Sequence, residues 1–142
     1  MENRKIKNAT KIVVDGITVR SKSEAMMYEL LKKTGLKFGY EDYTIILMDS
    51  FYPRWWINGM KKDCSKMRSI TYTPDFVVYG AERLYFIEVK GFPNDTYPIK
   101  RKLLLQFLMD KNGIFCEVHN RKEMENCINI ITEYEKSCTK DK

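Results

Sequence analysis

The chain has 142 residues, 44% of them hydrophobic, which suffices for one compact domain with a core and is too little for two. Its 25 Lys and Arg against 19 Asp and Glu leave a formal charge of +6, a balance that suits a polyanionic partner without requiring one. Four cysteines without a C-x-x-C pair, and His119 as the one histidine, argue against a structural zinc site. No apolar run resembles a signal peptide or approaches the roughly 20 residues of a membrane span. The expectation is therefore a cytoplasmic protein with reduced thiols and no membrane partner.

Residues 1–10 and 137–142 are polar and aperiodic and are expected to fray. Lys11 to Arg20 reads as a hairpin, because Ile12, Val13 and Val14 lead into Asp15-Gly16 and then Ile17 and Val19. Ser21, with Glu24 three residues on, opens a helix that carries apolar residues from Ala25 to Leu31 and stops at Gly35. A β-rich run follows from Tyr43 to Met48. Phe51 to Met67, with Pro53, Gly59, Trp55, Trp56 and several cations, reads as an irregular insertion loop.

Arg68 to Tyr79 alternates as a strand, and Gly80 to Arg83 turns the chain into an adjacent antiparallel strand, Leu84 to Lys90. After Gly91-Phe92-Pro93-Asn94-Asp95, Thr96 can cap a helix with Pro98 in its first turn, running through Leu103, Leu104, Phe107 and Leu108 towards Gly113. Ile114 to Val118 is a further strand. Asn120 and Glu123 repeat the capping-box spacing and open a last helix through Ile128, Ile131 and Tyr134. Beyond the hairpin the order is helix, three strands, helix, strand, helix, which predicts an α/β (α+β) domain spanning 1–142 with a mixed central sheet flanked by helices.

Side chains two apart on a strand share a face, so Glu88 and Lys90 lie side by side, about 6–7 Å apart at Cα. Asp75, just after Pro74 on the adjacent strand, comes close to the same sheet end. Two carboxylates and an ammonium converging there suit phosphodiester hydrolysis, in which a hard Mg²⁺ neutralises developing charge and activates water. Asp75 and Glu88 are suitable ligands, the carbonyl of Val89 could add a third, and Lys90 could orient the water and steady the phosphate. By spacing alone, Glu88 and Lys90 read equally well as an ion pair at a strand end.

Thr73-Pro74-Asp75-Phe76, followed by Ile87-Glu88-Val89-Lys90-Gly91, resembles the PD-(D/E)XK nuclease signature, and the element order over approximately residues 20–120 is similar to that superfamily's restriction-endonuclease-like core. The first hairpin and last helix are then additions. Within the superfamily the chain resembles small phage endonucleases of the endonuclease I type, which resolve Holliday junctions. That resemblance implies Mg²⁺-dependent cutting of DNA, with Mn²⁺ as a substitute, in the host cytoplasm if the protein is phage-encoded. It also implies a role for Glu24, since such proteins carry a glutamate early on the helix ahead of the core. Ser21 and Glu24 nevertheless make a capping box that requires no chemistry. Gln106 resembles the glutamine of a subgroup motif, but Asp110 stands where that motif has a tyrosine, which argues against an exonuclease.

The expected catalytic set is Glu24, Asp75, Glu88 and Lys90, with metal held by Asp75, Glu88, Val89 and Glu24. Lys100, Arg101 and Lys102 open the helix after the active strand, where cations and free amides meet phosphate, and Lys100 is the first choice. Arg54, Lys61, Lys62, Lys66 and Arg68, interleaved with Trp55 and Trp56, suit phosphate contact with base stacking. Such a tryptophan pair more often closes a core or an oligomer interface. Tyr97 suggests only packing, and His119 a surface position. The leading expectation is a structure-specific, junction-resolving endodeoxyribonuclease acting on DNA, branched DNA included, with a homodimer matching the two cuts of a junction. The alternatives are a double-strand-specific nuclease of the restriction or transposon-end type, and a non-cleaving DNA-binding module.

Overall fold

A computed structural model describes residues 11–91 and 96–140; the expected frayed stretch 1–10, residues 92–95 and residues 141–142 lie outside it. The opening hairpin pairs β1 (Ile12–Val14) with β2 (Ile17–Val19), and the Asp15-Gly16 turn carries φ of 49° and 78°. Positive φ at both positions matches the right-handed twist of the flanking strands, and Asp-Gly supplies it at low cost. In α1 (Lys22–Thr34) the Ser21 hydroxyl caps the Glu24 amide and Gly35 ends the helix in the left-handed region, as the residues predict.

Next come β3 (Phe38–Tyr40), β4 (Ile45–Met48), β5 (Trp56–Asn58), β6 (Lys61–Asp63), β7 (Ile70–Tyr72), β8 (Phe76–Tyr79) and β9 (Leu84–Val89). The chain closes with α2 (Tyr97–Phe107), a 3₁₀ turn (Leu108–Asp110), β10 (Gly113–Val118) and α3 (Arg121–Lys140). The central four-stranded sheet has the order β10-β9-β8-β3. β10 runs parallel to β9, while β8 is antiparallel to both β9 and β3. This is the expected mixed sheet of an α+β fold. One face packs Phe76, Val78, Tyr85 and Ile87 against Met27 and Leu31 of α1 and Met124 and Ile131 of α3. On the opposite face Val77 and Phe86 meet Ile45, Tyr72, Tyr97 and Leu104. β9 is thus covered on both sides, which is why Leu84 to Ile87 read as a continuous apolar run. Truncating a side chain such as Phe76, which has no exposed surface, would cost about 3–5 kcal/mol.

Four expectations need correction. Arg68 to Tyr79 is not one strand: it breaks at Thr73-Pro74-Asp75, where proline has no amide to donate, so β7 pairs with β4 while β8 joins the central sheet. The place in that sheet next to β8 belongs to Phe38–Tyr40, a strand too short to stand out by periodicity, and not to the Tyr43–Met48 run. Residues 51–67 are not irregular, since β5 and β6 form a hairpin within them and Phe51 bridges Met67. Residues 137–140 continue α3 instead of fraying, and Cys138 is buried. Thr96 stands at the N-cap of α2 but makes no side-chain capping bond, whereas Asn120 and Glu123 do exchange capping bonds at the start of α3. The cysteines carry no disulfide, and among the described residues no helix is long and apolar enough to cross a membrane.

Candidate metal centre

The break at Pro74 delivers Asp75 to the sheet end. Phe76 is the register partner of Ile87, so Asp75 faces the end of β9, where its Oδ2 accepts the Val89 amide at 2.8 Å. The Asp75 carbonyl accepts the Glu41 amide at 2.9 Å, tying the ends of β3 and β9 to one residue. The side chain is buried.

Glu24 arrives from the first turn of α1. The Ser21 hydroxyl accepts from the Glu24 amide at 3.1 Å and donates to its Oε2 at 3.0 Å, and the Tyr40 hydroxyl donates to Oε1 at 2.8 Å. The carboxylate is therefore both part of a helix start and a buried member of the cluster, with 6% of its surface exposed. Glu41 adds a further carboxylate from a left-handed backbone, φ 50°, which costs about 1 kcal/mol for a residue with a Cβ. Oxygens of Glu24, Glu41 and Asp75 all lie within 4.8 Å of one another. Glu88, on β9 beside Asp75, accepts the Tyr72 hydroxyl at 3.0 Å, and its charge bears on the Asp75 carboxyl.

Electrostatics follow from this crowding. At an effective dielectric near 20, two carboxylates at such a separation repel by about 3 kcal/mol. Burial first, then Glu88 and Glu24, push the Asp75 carboxyl up to about 8, against the opposing pull of the Val89 amide and Arg20. Burial likewise raises Glu88, partly offset by Tyr72, Lys90, Asp75 and Arg20. Arg20, at the end of the opening hairpin, is the cation inside the cluster: Nη2 lies 3.4 Å from Asp75 Oδ1 and contacts Glu41, and Nε lies 4.0 Å from Glu24. Arg20 faces Glu24, Glu41 and Asp75, and Lys90 acts on Glu88; once the Asp75 proton is displaced, the four carboxylates exceed these two cations by a charge that a divalent cation would balance. The donors are hard oxygens only, which fit Mg²⁺ or Mn²⁺. Arg20 has a side chain 62% exposed and can swing outward to make room.

Lys90 follows β9 with its amide bonded to the Val118 carbonyl at 2.8 Å, and its Nζ sits 3.8 Å from the centre of the Tyr97 ring. Tyr97 is buried and its hydroxyl donates to Glu117, the register partner of Glu88 on β10. Burial, then this bond to Glu117, raises the phenol. Arg101 holds Glu117 at 3.2 Å, and His119 bridges Glu117 and Glu123 at 3.1 and 2.7 Å.

A family model described as a protein of unknown function, DUF1064, matches residues 4–122. The chain belongs to the DUF1064 family. The DUF1064 match takes in Arg20, Glu24, Glu41, Asp75, Glu88, Lys90, Tyr97 and Glu117 and stops as α3 begins. No curated protein and no solved structure matches the chain.

Of the residues singled out by sequence, Glu24, Asp75, Glu88 and Lys90 come together, and Val89 enters through its amide. Lys100 is half-buried and Lys102 exposed on α2, where Arg101 is the cation bonded to Glu117. Arg54, Trp55, Trp56, Lys61, Lys62 and Arg68 are exposed on the β4–β7 extension instead of in the carboxylate cluster. Arg20, Tyr40, Glu41, Tyr72, Tyr97 and Glu117 were not expected in the site. Only Tyr72 left a trace, as an aromatic alternating on the strand ahead of Pro74. The others are isolated polar residues whose placement depends on which strands pair.

Proposed function

We propose that the chain is a Mg²⁺-dependent endodeoxyribonuclease of the PD-(D/E)XK kind, with Mn²⁺ as a substitute, hydrolysing phosphodiester bonds of branched, junction-like DNA in the cytoplasm. The observation that carries this reading is the meeting of buried Asp75 and half-buried Glu88 at the ends of paired strands β8 and β9, two residues from Lys90. Like charges in so dry a place are costly without a counter-cation. Asp75, Glu88, Glu24 and the Val89 carbonyl would hold the metal, with Glu41 as a further oxygen donor. The ion supplies Lewis-acid charge neutralisation and a water of lowered pKa. Val89 and Tyr72 fix the carboxylates through the bonds already described, so little reorganisation is needed on binding. Lys90, seated on the Tyr97 ring, directs its ammonium to the water and the phosphate. A homodimer would provide the two cuts that resolving a junction takes.

The test is incubation with linear duplex, single strands and a four-way junction, in Mg²⁺ and in chelator. Metal-dependent cutting that disappears in Asp75→Ala and Lys90→Ala, with DNA binding retained, is the expected result; undiminished cutting by Asp75→Ala overturns the site. Equal cutting of duplex and junction would favour the double-strand-specific nuclease. A second reading is favoured by Arg20, whose guanidinium already neutralises part of the cluster: a DNA-binding module that does not cut. Binding without cutting under both metals would select it.

A further inference from the structure

Between Ile45 and Tyr72 the chain goes out and back as one antiparallel arm. Pairing starts at Ile45 with Tyr72, shifts by a residue at Ile46/Met48, continues through the Phe51–Met67 bridge, and resumes from Trp56–Asp63 to Asn58–Lys61 after one more offset. The arm turns at Gly59-Met60, with Gly59 at φ 66°. Extended throughout, such an arm reaches about 40 Å. Its far half buries little: Met60 is 101% exposed, Ile57 67% and Trp55 50%. The arm carries Arg54, Lys61, Lys62, Lys66 and Arg68 against two acids, Asp49 and Asp63, and the Asp63 carboxylate is taken up by Ser65 and Asn58.

We propose that this arm is a two-stranded ribbon that lies in a groove of duplex DNA, with Met60 at its tip entering between base pairs. The inference rests on the reading of the carboxylate site as one that acts on DNA, and names how that substrate is held. A groove of B-DNA admits a two-stranded ribbon, and apolar side chains at the tip of a basic element are the means by which proteins unstack base steps. Strand alternation puts Trp55, Ile57 and Lys62 on one face, where the Lys62 ammonium stands 4.8 Å from the centre of the Trp55 ring, and Trp56, Asn58, Lys61 and Asp63 on the other, where Asp63 is engaged by Asn58 and Ser65. Each face thus offers a lysine to one phosphate backbone and an apolar group to the groove. A second copy of the chain is the poorer occupant, because pairing two arms would bring together two sets of uncompensated cations.

The experiment uses the full chain in Ca²⁺, titrated onto a fluorescein-labelled duplex longer than the arm across a salt series, with a 2-aminopurine duplex to report unstacking. Because the substituted side chains are exposed, Met60→Ala and Lys61→Ala/Lys62→Ala should fold as the parent does. Expected for Met60→Ala is a loss of about tenfold in affinity with an unchanged salt slope and no 2-aminopurine signal. The double lysine variant should lower the slope of log affinity against log salt by about 2. Parent-like binding by both variants overturns the proposal, as does a dimer in sedimentation that needs the arm while DNA binding does not. Arm-dependent binding by a protein that cuts nothing in Mg²⁺ or Mn²⁺ would sustain the arm and remove the nuclease reading. Metal-dependent cutting that the arm variants leave untouched, with parent-like binding, would do the reverse.

Discussion

The guanidinium of Arg20 lies 3.4 Å from Asp75 Oδ1, joining the first hairpin to the core of the sheet across 55 residues of sequence. It takes the position of a cation among carboxylates, so Arg20 and a divalent ion compete for the same charge. Arg20→Gln should bind Mn²⁺ about fivefold more tightly, as read by calorimetric titration, while the metal-free protein loses about 1 kcal/mol of stability, a modest figure because the side chain is half in solvent. Weaker Mn²⁺ binding in this variant would mean that Arg20 helps to hold the ion's other ligands instead of competing with it.

The raised carboxyls of Asp75 and Glu88 set a pH dependence whose sign can be worked out. Between the ordinary carboxylate range and about 8, folded Asp75 keeps a proton that the unfolded chain has released. Stability of the metal-free protein therefore falls as pH rises through that window and levels off above it. Thermal unfolding in chelator at successive pH values should show this fall, and Asp75→Asn should flatten it. A metal-free protein that gains stability from acid to alkaline pH would contradict the assignment.

Glu24 belongs to both a helix start and the carboxylate cluster, and two substitutions separate these roles. Ser21→Ala removes the cap and should cost about 1 kcal/mol in denaturant unfolding, with cutting nearly intact. Glu24→Gln retains hydrogen-bonding capacity towards Tyr40 and should leave stability close to the parent's while lowering metal-dependent cutting about a hundredfold. Equal losses of stability in both, with cutting unchanged, would reduce Glu24 to a capping residue.

Lys90 depends on Tyr97 for its place. Tyr97→Phe keeps the ring and drops the hydroxyl's bond to Glu117, so cutting should fall by no more than about tenfold. Lys90→Ala should fall by about a hundredfold or more, and Lys90→Arg should not restore the parent rate, since a planar guanidinium cannot substitute for a compact ammonium. Single-turnover cleavage rates at saturating Mn²⁺ make the comparison. A Lys90→Arg rate equal to the parent's would show that only charge matters there.

Much of the fold is legible in the order of the residues. Asp15-Gly16, the Ser21/Glu24 pair, Gly35 and the Asn120/Glu123 pair are local signals, each complete within four residues, and each stands in the structure as its chemistry dictates. The strand Leu84–Val89 is legible because both its faces are buried. Phe38–Tyr40 is not: three residues show no period, and the strand exists because β8 offers it a free edge. The interrupted pairing of the arm, two short ladders joined by the Phe51–Met67 bridge, is hidden for a related reason, since Pro53 and Gly59 break the local pattern.

The chain's residues by themselves determined the meeting of Asp75, Glu88 and Lys90. The two-residue period of a strand and the tight Gly80–Arg83 turn between neighbouring strands leave few other arrangements, although the break at Pro74 came from the structure. What the tertiary structure alone decided is the company that site keeps: Arg20 and Glu41 inside the carboxylate cluster, Tyr72 on Glu88, and the Tyr97 ring beneath Lys90. Backbone propensity acts over a few residues, whereas these contacts join segments brought together by sheet order and by the crossover through α2. A lone arginine or tyrosine far away in sequence carries no local mark of the charge it will face.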